Sequence, residues 1–339
     1  MVAGGNDAQE PTTRIVLTRG RVTIGATVVG GGLLAALCCT PPPAPPDTPG
    51  PAPTASPTLP PVDPPDAAPP VPDAGPPVPS ARCEAVRATE QTERSEKRDT
   101  QRVVGGEEVP LSEYLAGKLK FSVSLQWNTG SGWAHYCGGS VALRKNLVVT
   151  AAHCKPALSD RVVVGRHDLR TNDGQELGIA EVWRHAQWNR PTKHNNDVAL
   201  IKLKHPADVE PVDIETFSRH WPTLTGSGWG RLGENAPLSP TLQFADLPVL
   251  SQSYCHDRSA NYTPRMGCAG FVTGGIDLCS GDSGGFNGVQ LDATRWLLVG
   301  VTSFGAGCAR PGNPGYFAYL AGDDAALARW ILACAAEAK

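Results

Sequence analysis

From Val103 onward the chain is a succession of short apolar runs, broken every few residues by Gly, Asn, Asp or Pro. The runs are Lys120–Gln126, Ser140–Leu143, Leu147–Thr150, Arg161–Val164, Glu181–Arg184, Val198–Leu203, Leu247–Leu250, Trp296–Ser303 and Gly315–Tyr319. Runs this short are strand-length rather than helix-length, and the turn residues between them make the chain double back. Many short strands of this kind close into a β-sandwich or a β-barrel. One stretch breaks the pattern. Asp323 to Ala336 opens on a cap-type Asp and carries Leu327, Trp330, Ile331 and Cys334 at helical spacing, which predicts a closing amphipathic helix.

The first 102 residues read differently from that body. Met1 to Arg21 is polar, with Arg14, Arg19 and Arg21 near its end, and Val22 to Leu37 is apolar and rich in small residues. A basic region before a short apolar core reads as a signal peptide over residues 1–39. Leu34-Ala35-Ala36-Leu37-Cys38 also resembles the lipobox of bacterial lipoproteins, although Leu37 stands where a small residue is expected. A signal anchor is the third reading, since the run falls short of the roughly 20 apolar residues of a spanning helix. All three imply export, to the extracellular space or a bacterial cell envelope; the second implies lipid anchoring to the membrane at Cys38. Thr40 to Ser80 is close to half Pro and has nothing with which to build a core. It predicts a disordered, polyproline-II-like tether over 40–80, with a reach on the order of 120 Å. Ala81 to Arg102 mixes both charge signs around Cys83 and reads as a short helix or a disordered arm. It ends on the basic run Lys97-Arg98-Asp99-Thr100-Gln101-Arg102, which a protease could nick.

A net charge of −3 gives no surface for nucleic acid. Ten Cys in an exported chain read as disulfides. The sequence contains neither C-x-x-C nor H-E-x-x-H, so no metal site or other cofactor is expected.

Chemistry concentrates in Leu278-Cys279-Ser280-Gly281-Asp282-Ser283-Gly284-Gly285. Flanking glycines let a serine sit on a tight exposed turn, with the N–H groups of Gly281 and Ser283 aimed at one point as an oxyanion hole. Gly, Asp and Ser are also ordinary turn residues. Acyl transfer through a serine needs in addition a base and a carboxylate to orient it. His153, in Thr150-Ala151-Ala152-His153-Cys154, ends an apolar run beside a Cys, and by itself reads first as a half-buried structural His and only second as a catalytic base. The other histidines, His135, His167, His185, His194, His205, His220 and His256, sit in polar settings and are expected at the surface. Asp197 opens the apolar run Val198–Leu203, where a partly buried carboxylate would need a partner; a plain turn Asp is the other reading.

Seven segments in order resemble the trypsin/chymotrypsin family of serine endopeptidases. They are Val103-Val104-Gly105-Gly106, Tyr136-Cys137-Gly138-Gly139-Ser140, Ala151-Ala152-His153-Cys154, Asn196-Asp197-Val198-Ala199-Leu200, Ser227-Gly228-Trp229-Gly230, Gly281-Asp282-Ser283-Gly284-Gly285 and Ser303-Phe304-Gly305. The resemblance covers residues 103–339. It implies an all-β fold of two antiparallel six-stranded β-barrels with a C-terminal α-helix and the active site between the barrels. It implies Ser283 as nucleophile, His153 as general base and then acid, Asp197 as orienting carboxylate, and Gly281 and Ser283 as oxyanion hole. Ser303 is expected beside Asp197, and Ser303 to Gly305 along the substrate backbone.

Further implications concern activation and specificity. Residues 81–102 become an activation propeptide. Cleavage after Arg102 would free an ammonium on Val103 for the buried Asp282. Asp277 would floor the primary specificity pocket and select Arg or Lys, with Gly305 and Gly315 as open walls. Leu278, Phe304 and Phe317 depart from the family pattern, as does Phe286-Asn287 after Gly285. Leu278 removes a hydroxyl from the pocket and favours Arg over Lys. Arg166 and Glu176 match the ends of the family's calcium loop, so an ion pair would replace the cation. Cys137–Cys154, Cys255–Cys268 and Cys279–Cys308 are the implied disulfides. Cys83 and Cys334 are left over in the exported part; they either bridge, keeping the arm attached, or leave Cys83 free. Implied partners are polypeptide substrates and protein protease inhibitors, acting on a monomer. The rival from another class is a protease-fold binding protein without catalysis.

Overall fold

The computed structural model describes residues 83–88, 104–217, 219–234 and 236–338. The expectations for residues 1–39 and 40–80, for Cys38, and for the Arg102–Val103 bond lie outside the described residues. The elements run β1 (Ala85–Arg87), β2 (Glu107–Glu108), α1 (Leu111–Leu115), β3 (Ser122–Asn128), β4 (Trp133–Val141), β5 (Leu147–Thr150), β6 (Arg161–Val164), β7 (Gln175–His185), β8 (Ala199–Leu203) and β9 (Asp213–Ile214). They continue β10 (Thr223–Gly228), β11 (Gln243–Pro248), α2 (Gln252–Arg258), β12 (Met266–Ala269), β13 (Phe286–Gln290), β14 (Trp296–Phe304), β15 (Gly315–Tyr319) and α3 (Ala326–Glu337). No described helix is long and apolar enough to cross a membrane.

The strands form two antiparallel barrels. In the first, the order β7-β6-β3-β4-β5-β8 closes because β8 pairs back onto β7. In the second, β12-β15-β14-β13-β10-β11 is brought round by the bridge between Val249, just after β11, and Ala269 of β12. Closure removes the free sheet edges that would otherwise invite aggregation. Alternating apolar side chains fill the first barrel, among them Val123, Leu125, Val148, Val162, Ile179 and Ile201, all buried. Phe121, Phe286 and Trp296 pack edge-to-face, with ring centroids 5.0–6.4 Å apart, and carry the core across to the second barrel.

Several elements differ from the sequence expectation, some in extent (β4, β7 and β11 against the runs Ser140–Leu143, Glu181–Arg184 and Leu247–Leu250) and others in kind or by not being foreseen. The stretch around Cys83 is a strand rather than a helix or a disordered arm. Val86 pairs with Arg184, and the Cys83–Cys334 disulfide and a bond from Trp330 Nε1 to the Glu84 carbonyl (2.9 Å) hold the segment against α3. The closing helix starts at Ala326 rather than Asp323. Asp324 and Ala325 are left-handed and no side chain caps the helix, but Leu327, Trp330, Ile331 and Cys334 form its buried face. Strands β10, β12 and β13 lie in Gly- and Cys-containing stretches whose weak β propensity hid them.

The remaining disulfides join Cys137–Cys154, Cys255–Cys268 and Cys279–Cys308. Between β6 and β7, the almost fully buried Arg166 donates from Nε to the Asp173 carbonyl (2.6 Å) and from a terminal nitrogen to Glu176 (3.1 Å). The loop thus holds an internal cation of its own. Replacing Arg166 with Ala strands a carbonyl and a half-exposed carboxylate, so it should cost about 1–3 kcal/mol. Thermal melts with calcium or with a chelator should superimpose for the wild type, and a calcium-dependent rise in Tm would contradict this account of the loop.

Candidate active site

The serine turn is built by glycines that cannot be replaced. Gly281 (φ 97°) and Gly284 (φ 79°) lie in the left-handed region, and a Cβ on Gly284 would sit 2.3 Å from Thr150 Oγ1. Backbone bonds from Gly138 N–H to the Ser283 carbonyl (2.7 Å) and from Gly284 N–H to the Thr302 carbonyl (2.8 Å) lock the turn between the barrels. Ser283 is left partly exposed. Among the described residues, the N–H groups of Gly281 and Ser283 make no hydrogen bond.

His153 lies in the single 3₁₀ turn Ala152–Cys154 that follows β5, and the Cys137–Cys154 disulfide ties that turn to β4. Its Nδ1–H donates to Asp197 Oδ2 (2.6 Å), and its backbone N–H donates to Oδ1 (2.8 Å). Ser303 Oγ donates to Oδ2 as well (2.5 Å). Asp197 has no exposed surface. Burial pushes its carboxyl up, but His153 and the hydrogen bonds outweigh burial and hold it below its ordinary value. With Nδ1 committed to Asp197, Nε2 of a neutral His153 is the free acceptor. His153, Ser283, Ser303, Phe304 and His194 line one cleft.

At Ser283 the cleft opens into a pocket lined by Asp277, Leu278, Ser303, Phe304, Gly305 and Gly315. Asp277 is 2% exposed. Its Oδ2 accepts the Ala309 N–H (3.0 Å), while Oδ1 is buried without a partner among the described residues. Burial pushes this carboxyl up to about 7. A Cβ on Gly315 would stand 2.6 Å from Oδ1, so a side chain there would plug the pocket floor. Leu278 packs against Gly226, where an added Cβ would meet its Cδ1 at 2.4 Å. With Phe317 it joins an apolar cluster, so the wall around Asp277 carries no hydroxyl at either position.

Asp282 turns the opposite way, into the protein. It has no exposed surface; Oδ1 accepts the Gly230 N–H (2.8 Å) and Oδ2 the Cys279 N–H (3.0 Å). Added Cβ atoms on Gly228 and Gly230 would lie 2.1 and 2.3 Å from its oxygens, which explains Ser227-Gly228-Trp229-Gly230. Burial pushes this carboxyl too up to about 7. Val104, the second residue after the expected cut, exchanges backbone bonds of 2.8 and 3.0 Å with Asp277.

Two histidines expected at the surface are buried instead, His135 and His167, and two at the cleft matter for the site. His135 Nε2 donates to the Gly281 carbonyl (2.9 Å), so its Nδ1 must be the acceptor, from Ser124 Oγ (2.7 Å). That pins the Gly281–Asp282 peptide, whose N–H donates to the Cys279 carbonyl (3.0 Å). His194 stacks on Phe304 (4.4 Å, 15°), which stacks in turn on Tyr316 (4.6 Å, 3°). Neither histidine carries a local sequence signal, since the partners of each come from distant segments. The cluster Cys137–His153–Cys154 offers no thiolate to a metal, because both sulfurs are in a disulfide.

The sign of the Asp282 shift gives a test. A carboxyl raised from 3.8 to about 7 in the fold stabilises fully below pH 4, and that stability is lost as pH rises to about 7. His135, His185 and His194, pushed down to about 4 by burial, act in the opposite direction below pH 6.5, so a difference measurement is needed. Relative to wild type, intact Asp282→Asn should gain a few kcal/mol of stability between pH 4 and 7 in denaturant titrations. A difference independent of pH would exclude Asp282 as the titrating group.

The family model described as Trypsin matches residues 103–331. A trypsin of Saccharopolyspora erythraea is 36% identical over 225 residues, spanning 64% of this chain and 92% of that protein. Trypsin-1 of Salmo salar is 38% identical over 209 residues (58% and 81%), and Trypsin 5G1 of Aedes aegypti is 36% identical over 238 (66% and 83%).

Proposed function

Because the chain belongs to the trypsin family of serine endopeptidases, we propose that it cleaves polypeptides after Arg, and less well after Lys, through Ser283, His153 and Asp197. The observation that carries this reading is the hydrogen bond between His153 and the buried Asp197, with His153 lining the same cleft as Ser283. His153 Nε2 takes the Ser283 hydroxyl proton as Oγ attacks the scissile carbonyl carbon. The Gly281 and Ser283 N–H groups receive the oxyanion. The intermediate collapses, and the imidazolium returns its proton to the leaving amine. Water then repeats the sequence on the acyl-enzyme, with His153 again as base. Asp197 stays ionised throughout and keeps Nδ1 protonated.

Asp277 supports the preference for Arg. A buried carboxylate oxygen without a partner is costly, and a guanidinium can meet it directly with a planar fork. A Lys ammonium is shorter and more strongly hydrated, and the hydroxyl that would help carry its water is replaced by Leu278.

The same logic makes the chain a zymogen. Cleavage after Arg102 would create an ammonium on Val103, one residue before the Val104 that pairs with Asp277, and Asp282 is a buried carboxylate with no cationic partner among the described residues. The Cys83–Cys334 disulfide would keep the propeptide attached, so the product should run as one band unreduced and as two when reduced. Four disulfides fit an oxidising compartment and hence export.

Matched Arg, Lys and Phe peptide amides, assayed before and after cleavage at Arg102, test the reading. Activity on Arg should appear after the cut and fall by about four to six orders of magnitude in Ser283→Ala. Asp277→Asn should lower kcat/KM on Arg by about 10²–10³-fold. Efficient cleavage after Phe would keep the chemistry and overturn the role of Asp277. An inert cleaved protein would favour a non-catalytic binding protein.

A further inference from the structure

The wall of the pocket beside Asp277 is the irregular segment 306–312, which lies outside the strands and is tied to residues 272–275 by the Gly275 N–H to the Ala309 carbonyl (3.0 Å) and the Gly312 N–H to the Val272 carbonyl (2.9 Å). Gly307 (φ 82°) and Ala309 (φ 53°) are both left-handed. The Cys279–Cys308 disulfide fixes one sulfur but not the direction of the peptide planes. Those directions are set from two sides. On the inner side, the Ala309 N–H points at Asp277 Oδ2. On the outer side, the preceding N–H, that of Cys308, points at a second carboxylate, Glu234 Oε1 (3.0 Å).

Glu234 comes from the turn after Gly230, the segment that also holds Asp282. It grips the same wall a second time through Arg310, with Nε to Oε1 at 2.6 Å and a terminal nitrogen to Oε2 at 3.0 Å. Gly307 makes room for this. A Cβ there would lie 2.5 Å from both Arg310 Nε and Glu234 Oε1. An exposed ion pair alone is worth little. Three bonds from one carboxylate to a single short loop act differently, because they choose one loop shape among many.

We propose that Glu234 is a positioning residue for substrate recognition: by clamping Cys308 and Arg310 it holds the pocket wall in the shape that aims the Ala309 N–H at Asp277, leaving Asp277 Oδ1 free for the substrate cation. This rests on the reading of Asp277 as the pocket floor. Glu234 touches no reacting atom, so its loss should act on binding rather than on the chemical step.

The test uses protein cleaved at Arg102 and 4-aminobenzamidine, a fluorescent aryl amidinium that reads pocket occupancy without turnover. Glu234→Ala should raise its Kd about tenfold, on the scale of a lost charge-assisted hydrogen bond. Glu234→Gln, whose amide oxygen can still accept the Cys308 N–H, should fall between, and it carries the test if the Ala variant does not fold. On an Arg amide, KM should rise in parallel while kcat changes by less than about twofold. The double variant Glu234→Ala/Arg310→Ala should stay as weak as Glu234→Ala. Recovery in the double variant would show that a freed Arg310 charge, not the loop, caused the loss, and would overturn the proposal. So would a Kd within twofold of wild type in both single variants. If the wild type itself fails to bind the probe, the pocket reading falls and this proposal with it; wild-type binding with unaltered variants overturns the clamp alone.

Discussion

A carboxylate sealed from water must find donors inside the protein, and Asp282 does so in a space that only glycines can leave open. Its two bonds, to Gly230 and Cys279, tie the segment after β10 to the start of the serine turn. Much of the site hangs on that link. It sets the turn from which Ser283 projects, and the Gly281 peptide between the two is oriented by His135. The link is incomplete in one respect, because two backbone donors do not neutralise a full negative charge and burial still holds the carboxyl up at about 7.

Asp197 and Asp277 are equally buried and behave in opposite ways. Asp197 is served by the His153 ring, the His153 backbone and Ser303, so its charge is favoured despite burial. Asp277 keeps an oxygen with no partner among the described residues, and burial dominates. The contrast follows from the number of donors that converge on each. A satisfied carboxylate keeps its charge; an unsatisfied one is pushed by burial toward its neutral form. The pocket wall beside Asp277 is held by Glu234 from the same segment that supports Asp282, so the serine turn and the pocket share one scaffold.

Local pattern made part of this legible. The β-branched runs of β5, β6 and β8 could be read directly, since strand propensity and burial agree there. The strands in Gly-rich stretches, such as β10, could not, because their pairing comes from neighbours distant in sequence. The segment around Cys83 failed for the same reason: three residues become a strand only because the edge of β7 and the face of α3 are there to receive them.

What the sequence by itself determined was the set of parts and their order: the serine turn with its obligatory glycines, the Asp before an apolar strand, the His beside a Cys, and the change of composition at Val103, where the mixed-charge stretch 81–102 gives way to short β-type runs. These are readable because each depends on residues adjacent in the chain, whose φ preferences and periodicity act locally. Only the tertiary structure decided which carboxylate is satisfied and which is left open, that His135 is buried behind Gly281, and that Glu234 reaches Cys308 across the pocket wall. Burial and hydrogen-bond count are properties of what the fold brings around a residue, and no window of sequence contains them.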